Sequence, residues 1–436
     1  MTIRFKQYLA TCVVLAGCWS SMVAAAPVQS WNTAQGARVY FIETHTLPIV
    51  DVQVLFLAGS AFDPNDKPGL ASLTASLMDQ GAGARNEQQV AETLADIGAT
   101  LSVGAGLDSA TLSLRTLSDP ERRQVAFSLM ADVMARPQFD RAIFKRDQAR
   151  TIAALKDALT KPQVLAQRAY MSAIYPDHPY GRLATPTSVE SLAYGDVTDF
   201  WRGHFTPGRA SIALVGDLTR AEAETLANAL LADLPADKPD VVKTLPAPSA
   251  TQANIVRVEH PASQSHLLVG MPSVARDDPA QIALQVGNYT LGGGGFVSLL
   301  TKAVREDRGY AYSVYSYFQP QLVAGPFTIG LETKRAQADD ALKVVNQVVG
   351  DFIERGPTAA QLKAAQDNIA GGFALRIDSN SKLAANLGVM AFYGLPTDWL
   401  EQYPDRVRAL TSAAVRDAFR SHVSPERLVT VRVAAD

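Results

Sequence analysis

Arg305 and Tyr312 stand seven residues apart in the stretch LGGGGFVSLLTKAVREDRGYAYSVYS, residues 291–316. A guanidinium and a phenol both donate hydrogen bonds, and neither needs a shifted pKa to do so. Fixed donors aimed at a developing oxyanion are worth about 3–4 kcal/mol of transition-state stabilisation. The same two residues also read as a solvated helix end and as one core aromatic among Tyr310, Tyr315 and Tyr317. The glycine run ahead of them, Gly292, Gly293, Gly294 and Gly295, is not a phosphate loop: Phe296-Val297-Ser298 follows it, where a lysine and a Ser/Thr would be needed. No strand precedes the run and no GxGxxG completes it, so the dinucleotide fingerprint fails as well. Bare backbone suits close approach of another chain, and it suits a flexible helix terminus equally well.

An internal repeat separates residues that build the fold from residues that do something else. VTDFWRGHFTPGR (197–209) and VRDAFRSHVSPER (415–427) share Val, Asp, Arg, His, Pro and Arg at an offset of 218, each ahead of an apolar strand. IGATLSV (97–103) matches RGYAYSV (308–314) at 211, and SATLSLRT (109–116) matches PFTIGLET (326–333) at 217. Architecture should recur in both halves, whereas a reaction needs its groups once. His204 and His422 recur beside matched Pro and Arg, which favours a capping role over metal ligation. Arg305 and Tyr312 instead face Leu94 and Leu101, and that asymmetry marks them for function.

The elements that must position them follow from pattern. VQVLFLAGSAF (52–62) and SHLLVGMP (265–272) read as first core strands, and residues 120–137 and 337–357 carry the helical period. Each half runs strand, helix, strand, strand, several helices, strand. That order indicates an α+β fold: two homologous domains, each a mainly antiparallel sheet packed against helices. Four prolines within PADKPDVVKTLPAPSATQ (235–252) resist helix and sheet and place the link there. The expected division is a leader over 1–25, a first domain over 26–235, a linker over 236–252 and a second domain over 253–436.

A chain with 47% hydrophobic and 19% charged residues is ordinary globular protein. Its net charge of −3, without a basic cluster, speaks against nucleic acid as a partner. The first residues have a basic start (Arg4, Lys6), a short apolar run and small residues around Val23-Ala24-Ala25, as a secretory signal peptide does. A periplasmic protein is expected. Leu15-Ala16-Gly17-Cys18 also fits a lipobox, which would leave a membrane-anchored lipoprotein carrying lipid at Cys18. Both cysteines, Cys12 and Cys18, lie in this leader, so the body has no disulfide or thiol chemistry.

Residues 67–83, KPGLASLTASLMDQGAG, make the pattern specific. A strand, a DP-containing loop, a helix opening GLA and a glycine turn resemble the pitrilysin/insulinase-type (M16) zinc peptidases, in particular the two-domain heterodimeric branch that includes mitochondrial processing peptidase. In that family the helix reads GLAHxxEH, two histidines binding zinc and the glutamate activating water. Here those positions are Ser72, Ala75 and Ser76, and the stretch expected to hold the third ligand, ARTIAALK (149–156), has no acid. The resemblance therefore implies a subunit that binds no cofactor itself, with zinc held by an HxxEH-bearing sister chain. In the second half the family pattern stands as Ser298, Leu300, Arg305-Glu306 and Gly309-Tyr310-Ala311-Tyr312-Ser313-Val314. By resemblance, Arg305 and Tyr312 hold a substrate peptide and donate to its scissile carbonyl, and the glycines lie beside that peptide. Leu299 departs from the arginine of many relatives, which leaves substrate preference open. A non-catalytic peptide-binding or scaffolding subunit is the alternative.

Overall fold

The computed structural model describes residues 27–239, 241 and 243–435; the expected leader and Cys18 lie outside the described residues. The first half opens with strands β1 (Gln29–Asn32), β2 (Arg38–Glu43) and β3 (Ile49–Phe56), then helix α1 (Leu70–Met78). A short hairpin of β4 (Gly81–Ala82) and β5 (Arg85–Asn86) leads into α2 (Glu87–Ile97), followed by β6 (Thr100–Ala105) and β7 (Ala110–Leu117). Helices α3 (Pro120–Ala135), α4 (Arg141–Ala158), α5 (Pro162–Ile174), α6 (Pro186–Glu190) and α7 (Tyr194–His204) precede β8 (Ala210–Gly216) and α8 (Arg220–Leu231). The second half carries β9 (Asn254–Glu259), β10 (Gln264–Val274), α9 (Gln281–Asn288), β11 (Ala311–Phe318) and β12 (Gly325–Lys334). It closes with α10 (Ala338–Arg355), α11 (Ala359–Gly371), α12 (Asn380–Tyr393), α13 (Trp399–Arg408), α14 (Ser412–His422) and β13 (Val429–Ala434).

The expected α+β architecture is what the chain forms. One sheet has the order β1-β2-β8-β3-β7-β6, the other β9-β13-β10-β12-β11, the same order without the extra outer strand. All pairings are antiparallel except β2 with β8 and its counterpart β9 with β13. The first half thus has two strands, β1 and β2, and the second half one, β9, ahead of those the apolar runs suggest. Strand β9 reads NIVRVE and is half exposed along its length, so it lacks the continuous apolar signal of an interior strand. Residues 235–253 form no helix or strand among those described, as the prolines require.

The repeat extends to side-chain detail. On α4, Gln148 Nε2 donates to the carbonyls of Val189 (2.8 Å) and Leu192 (2.9 Å). On α11, Gln366 Nε2 donates to those of Val407 (3.1 Å) and Leu410 (3.0 Å), every position shifted by 218. His204 and His422 each bond through Nδ1 to the carbonyl four residues back, at 3.0 and 2.9 Å. Both histidines satisfy the last turn of a helix, where carbonyls otherwise lack partners.

The halves are joined by a reciprocal exchange. Helix α5 of the first half packs on β10 and β13 of the second sheet, and α12 of the second half packs on β2, β3 and β8 of the first. The fit uses one glycine on each side. Tyr170 of α5 lies over Gly270 of β10, where an added Cβ would stand 2.2 Å from the Tyr170 hydroxyl. Across the other interface the glycine is on the helix, and a Cβ on Gly388 would stand 2.9 Å from Leu55 Cδ1 of β3. The core is consequently continuous between halves, with Ala166, Tyr170 and Ile174 clustered on Leu268, Val429, Val431 and Val433.

Candidate functional site

Helix α9 does not stop at Asn288 but widens into a π-helical turn, Tyr289–Gly293, then tightens over Gly295–Val297. Two hydrogen bonds fix this helix end to edge strand β11: Asn288 Nδ2 donates to Ser316 O at 2.9 Å, and Ser316 Oγ donates to Asn288 Oδ1 at 2.6 Å. The glycines then have different jobs. A Cβ on Gly292 would stand 2.4 Å from Ser316 Oγ and 2.7 Å from Ser316 N, so the helix end reaches the strand only because no side chain intervenes. Gly295 has φ +62° with open space around it, and serves the turn. The run is a packed helix terminus at its start and an exposed turn at its end.

Buried Ser298 opens the next segment, its hydroxyl donating to Gly295 O at 2.8 Å and accepting from Thr301 N at 3.3 Å. A second wide turn, Thr301–Glu306, carries Arg305 and ends at Gly309, whose φ of +63° lets its N–H reach Arg305 O at 2.9 Å. The chain then enters β11, where the register against β12 shifts between Ala311 and Val314. Tyr312 sits within that irregularity and is 83% exposed. A bulge re-aims side chains and is common at sheet edges and near sites.

These elements bring Arg305 and Tyr312 together. The guanidinium carbon lies 5.0 Å from the Tyr312 ring centroid and 4.9 Å from that of Phe296. The stack of phenyl, guanidinium and phenol is a cation–π arrangement worth roughly 0.5–1 kcal/mol per exposed pair. Among the described residues, neither the guanidinium of Arg305 nor the hydroxyl of Tyr312 has a hydrogen-bond or ion-pair partner. Both retain full donor capacity. They line a cavity of about 460 Å³ with Gly292, Gly293, Gly295 and Phe296, and β11 forms its floor. Gly294 is not part of the wall. The outer edge of β11 is unpaired in the sheet, which offers an added strand its main-chain hydrogen bonds. Phe296 is missed by sequence reasoning, because an exposed aromatic after four glycines carries no periodic signal.

On α1 the three positions of the degenerate motif fall as that motif spaces them. Ser72 is exposed, Ala75 is buried, and Ser76 Oγ donates to Leu73 O at 2.9 Å. Two hydroxyls and a methyl offer no imidazole or carboxylate, so the residues present do not fit a catalytic zinc. The nearby buried acid of α4, Asp147, is held by Arg146 at 3.1 Å and Arg150 at 3.0 Å. Among the described residues no three His, Cys, Asp or Glu side chains stand close enough to hold a metal ion.

Comparison with known proteins identifies the family of this fold. Residues 38–187 match the model of the insulinase family, peptidase family M16, and residues 191–369 match that of the peptidase M16 inactive domain. A crystal structure of a peptidase M16 inactive domain from Pseudomonas fluorescens is 34% identical, superposes with a TM-score of 0.89, and covers 94% of this chain and 98% of its own. The "non-peptidase homolog YmxG" of Helicobacter pylori is 22% identical over 419 residues, 96% of each chain. The crystal structure of a protease from Helicobacter pylori, 16% identical with a TM-score of 0.85 over 93% of this chain and 99% of that one, shares the fold.

Proposed function

The chain belongs to the M16 peptidase family, and from that premise we propose that it is the non-zinc subunit of a heterodimeric metallopeptidase. Its partner is a sister chain with an intact HxxEH helix, and zinc belongs to that partner. This chain supplies Arg305 and Tyr312, whose unpaired donors hold a substrate peptide and stabilise the oxyanion formed at its scissile carbonyl. The peptide adds as a strand along β11, with the turn at Gly292–Phe296 beside it. The leader directs the chain to the periplasm, free or lipid-anchored at Cys18.

One observation carries this reading. A chain whose α1 has Ser72, Ala75 and Ser76 in place of ligands still presents Arg305 and Tyr312 together, unpartnered, at an open sheet edge. Retained donors without a metal site make sense if the metal comes from another chain. The match of residues 191–369 to an inactive domain, and the name of the Helicobacter pylori relative, also fit a non-catalytic peptide-binding or scaffolding subunit. A scaffold has no use for the donor pair, which favours the split site.

The test is affinity purification of the tagged chain from its own periplasm, followed by zinc analysis and chelator-sensitive peptide hydrolysis on the eluate and on the lone recombinant chain. Zinc and hydrolysis are expected only where an HxxEH chain co-elutes. A chain that emerges alone and inert would make it a binding or scaffolding protein.

A further inference from the structure

A second cavity, of about 470 Å³, opens beside the first, between α9, the C-terminal end of β11 and helices α11 to α13. Its walls combine an aromatic floor with amides and two arginines, Arg276 and Arg376, and no aspartate or glutamate lines it. Trp399 and Tyr403 lie 5.0 Å apart on that floor, and the Tyr403 hydroxyl donates to Gln285 Oε1 at 2.9 Å. Arg276 is half-buried. It donates from Nη2 to Pro320 O at 3.1 Å and lies 5.2 Å over the Tyr393 ring. Its Nε is buried and has no hydrogen-bond partner among the described residues. Arg376 is exposed at the other side, and neither guanidinium forms an ion pair among the described residues.

The buried carboxylate whose charge acts on Arg276 is already committed. Asp108, buried at the joint between the halves, accepts from Tyr180 Oη (2.6 Å), Tyr393 Oη (2.9 Å) and Leu322 N (2.8 Å). A guanidinium withdrawn from water without a hydrogen-bonded anion is costly, and its planar fork matches a carboxylate through two parallel bonds. One such group, Arg276, facing the exposed Arg376 across an acid-free cavity forms a receptor for negative charge.

The position of the cavity identifies the bearer of that charge. Gly293 and Tyr317 are walls of both cavities. The first cavity follows β11 from Tyr312 to Tyr317, and the second takes over from Tyr317 to Pro320. An extended peptide on the β11 edge therefore runs from one into the other. At about 3.3 Å per residue, the step from Tyr312 to the second cavity is roughly five to seven residues.

We propose that the Arg276/Arg376 cavity is a subsite for a carboxylate of the bound peptide, borne by an acidic side chain or by the C-terminus, about five to seven residues from the position facing Tyr312. The proposal rests on the reading that a peptide lies along β11, and it adds a substrate class: peptides acidic on one side of the Tyr312 position.

The experiment uses the whole chain and fluorescein-labelled alanine–glutamine peptides in which a single glutamate is walked through the sequence, read by fluorescence anisotropy. A glutamate in the right register is expected to tighten binding at least ~10-fold over its glutamine isostere. Free and amidated C-termini separate the two sources of carboxylate. Arg376→Glu, an exposed change, should abolish the preference and shift it toward lysine peptides; Arg276→Gln should weaken it, with circular dichroism confirming the fold. Equal binding of glutamate and glutamine peptides at every position, a preference that survives both substitutions, or no peptide binding would each overturn the proposal. Hydrolysis of the all-glutamine peptide by the assembled enzyme is followed separately. Chelator-sensitive cleavage without charge preference removes this subsite and leaves the peptidase reading. Charge preference in a chain that no partner activates does the reverse.

Discussion

Tyr312 makes its case by what it does not touch. With 83% of its surface exposed and no hydrogen-bond partner among the described residues, its hydroxyl contributes nothing to the fold. If the proposed heterodimer is right, Tyr312→Phe should leave the melting temperature unchanged and lower its kcat about 100-fold or more, as loss of an oxyanion donor does. An unaltered kcat would take Tyr312 out of the reaction. His204 makes the opposite kind of case. Burial, reinforced by the charge of Arg209, pulls its pKa down to about 4, while the ring stacks on Phe200 at 4.0 Å. Between that value and the ordinary one near 6.5 the unfolded chain holds a proton that the folded chain lacks, so stability is full above the window and falls as pH drops through it. Denaturant titrations from pH 7 to 4 should show the loss, and His204→Gln should flatten it. Both residues were visible in the sequence, Tyr312 because the repeat puts Leu101 opposite it, His204 because the repeat copies it. Phe296 was not, since a lone exposed aromatic leaves no periodic trace. Gln148 and Gln366 do stand at the repeat offset, but a shared residue type does not say which distant carbonyls it bonds.

At the scale of elements, the glycine-rich terminus of α9 is where sequence and structure part. Four glycines in a row read equally as a loose end or as room for another chain, because composition reports freedom and not its use. The contacts divide that freedom. Gly292→Ala forces a Cβ into the backbone nitrogen of Ser316, a neighbour that cannot rotate away. Gly295→Ala meets no atom and only strains a φ of +62°. Overpacking costs typically 1–3 kcal/mol, and a left-handed non-glycine residue about 1. Chemical denaturation should therefore find Gly292→Ala the more damaging of the two, and Ser316→Ala should not rescue it, since the obstructing nitrogen remains. Equal effects would mean that α9 and β11 are not held at this distance. The strands β2 and β9 were lost from the sequence reading for a related reason: their parallel partners, β8 and β13, lie 170 or more residues away, and nothing local announces a parallel neighbour.

The whole molecule is built by exchange, and that arrangement decides how the site is held. The repeat made two homologous halves legible but did not show that α5 and α12 cross over, because amphipathic pattern specifies that a face is buried and not against what. Tyr170 inserted at Gly270, its hydroxyl donating to Phe327 O at 2.7 Å, ties the first half to the sheet that ends in β11. Gly388 against Leu55 ties the second half back. The link touches the body at a few points, Lys243 Nζ donating to Gly208 O at 3.0 Å and Leu245 packing on the cluster between the halves, but residues 243–250 run outside any helix or strand and are mostly exposed. A protease site inserted between Ser249 and Ala250 should be cut readily, and the two pieces should still co-elute on native size exclusion with the circular dichroism of the intact chain. They should separate only in denaturant, and Gly270→Ala, which places a Cβ 1.9 Å from Phe327 O, should lower the denaturant concentration at which they part. Fragments that drift apart in buffer would show that the exchanged helices do not hold the halves together, and β11 would then owe its position to the second half alone.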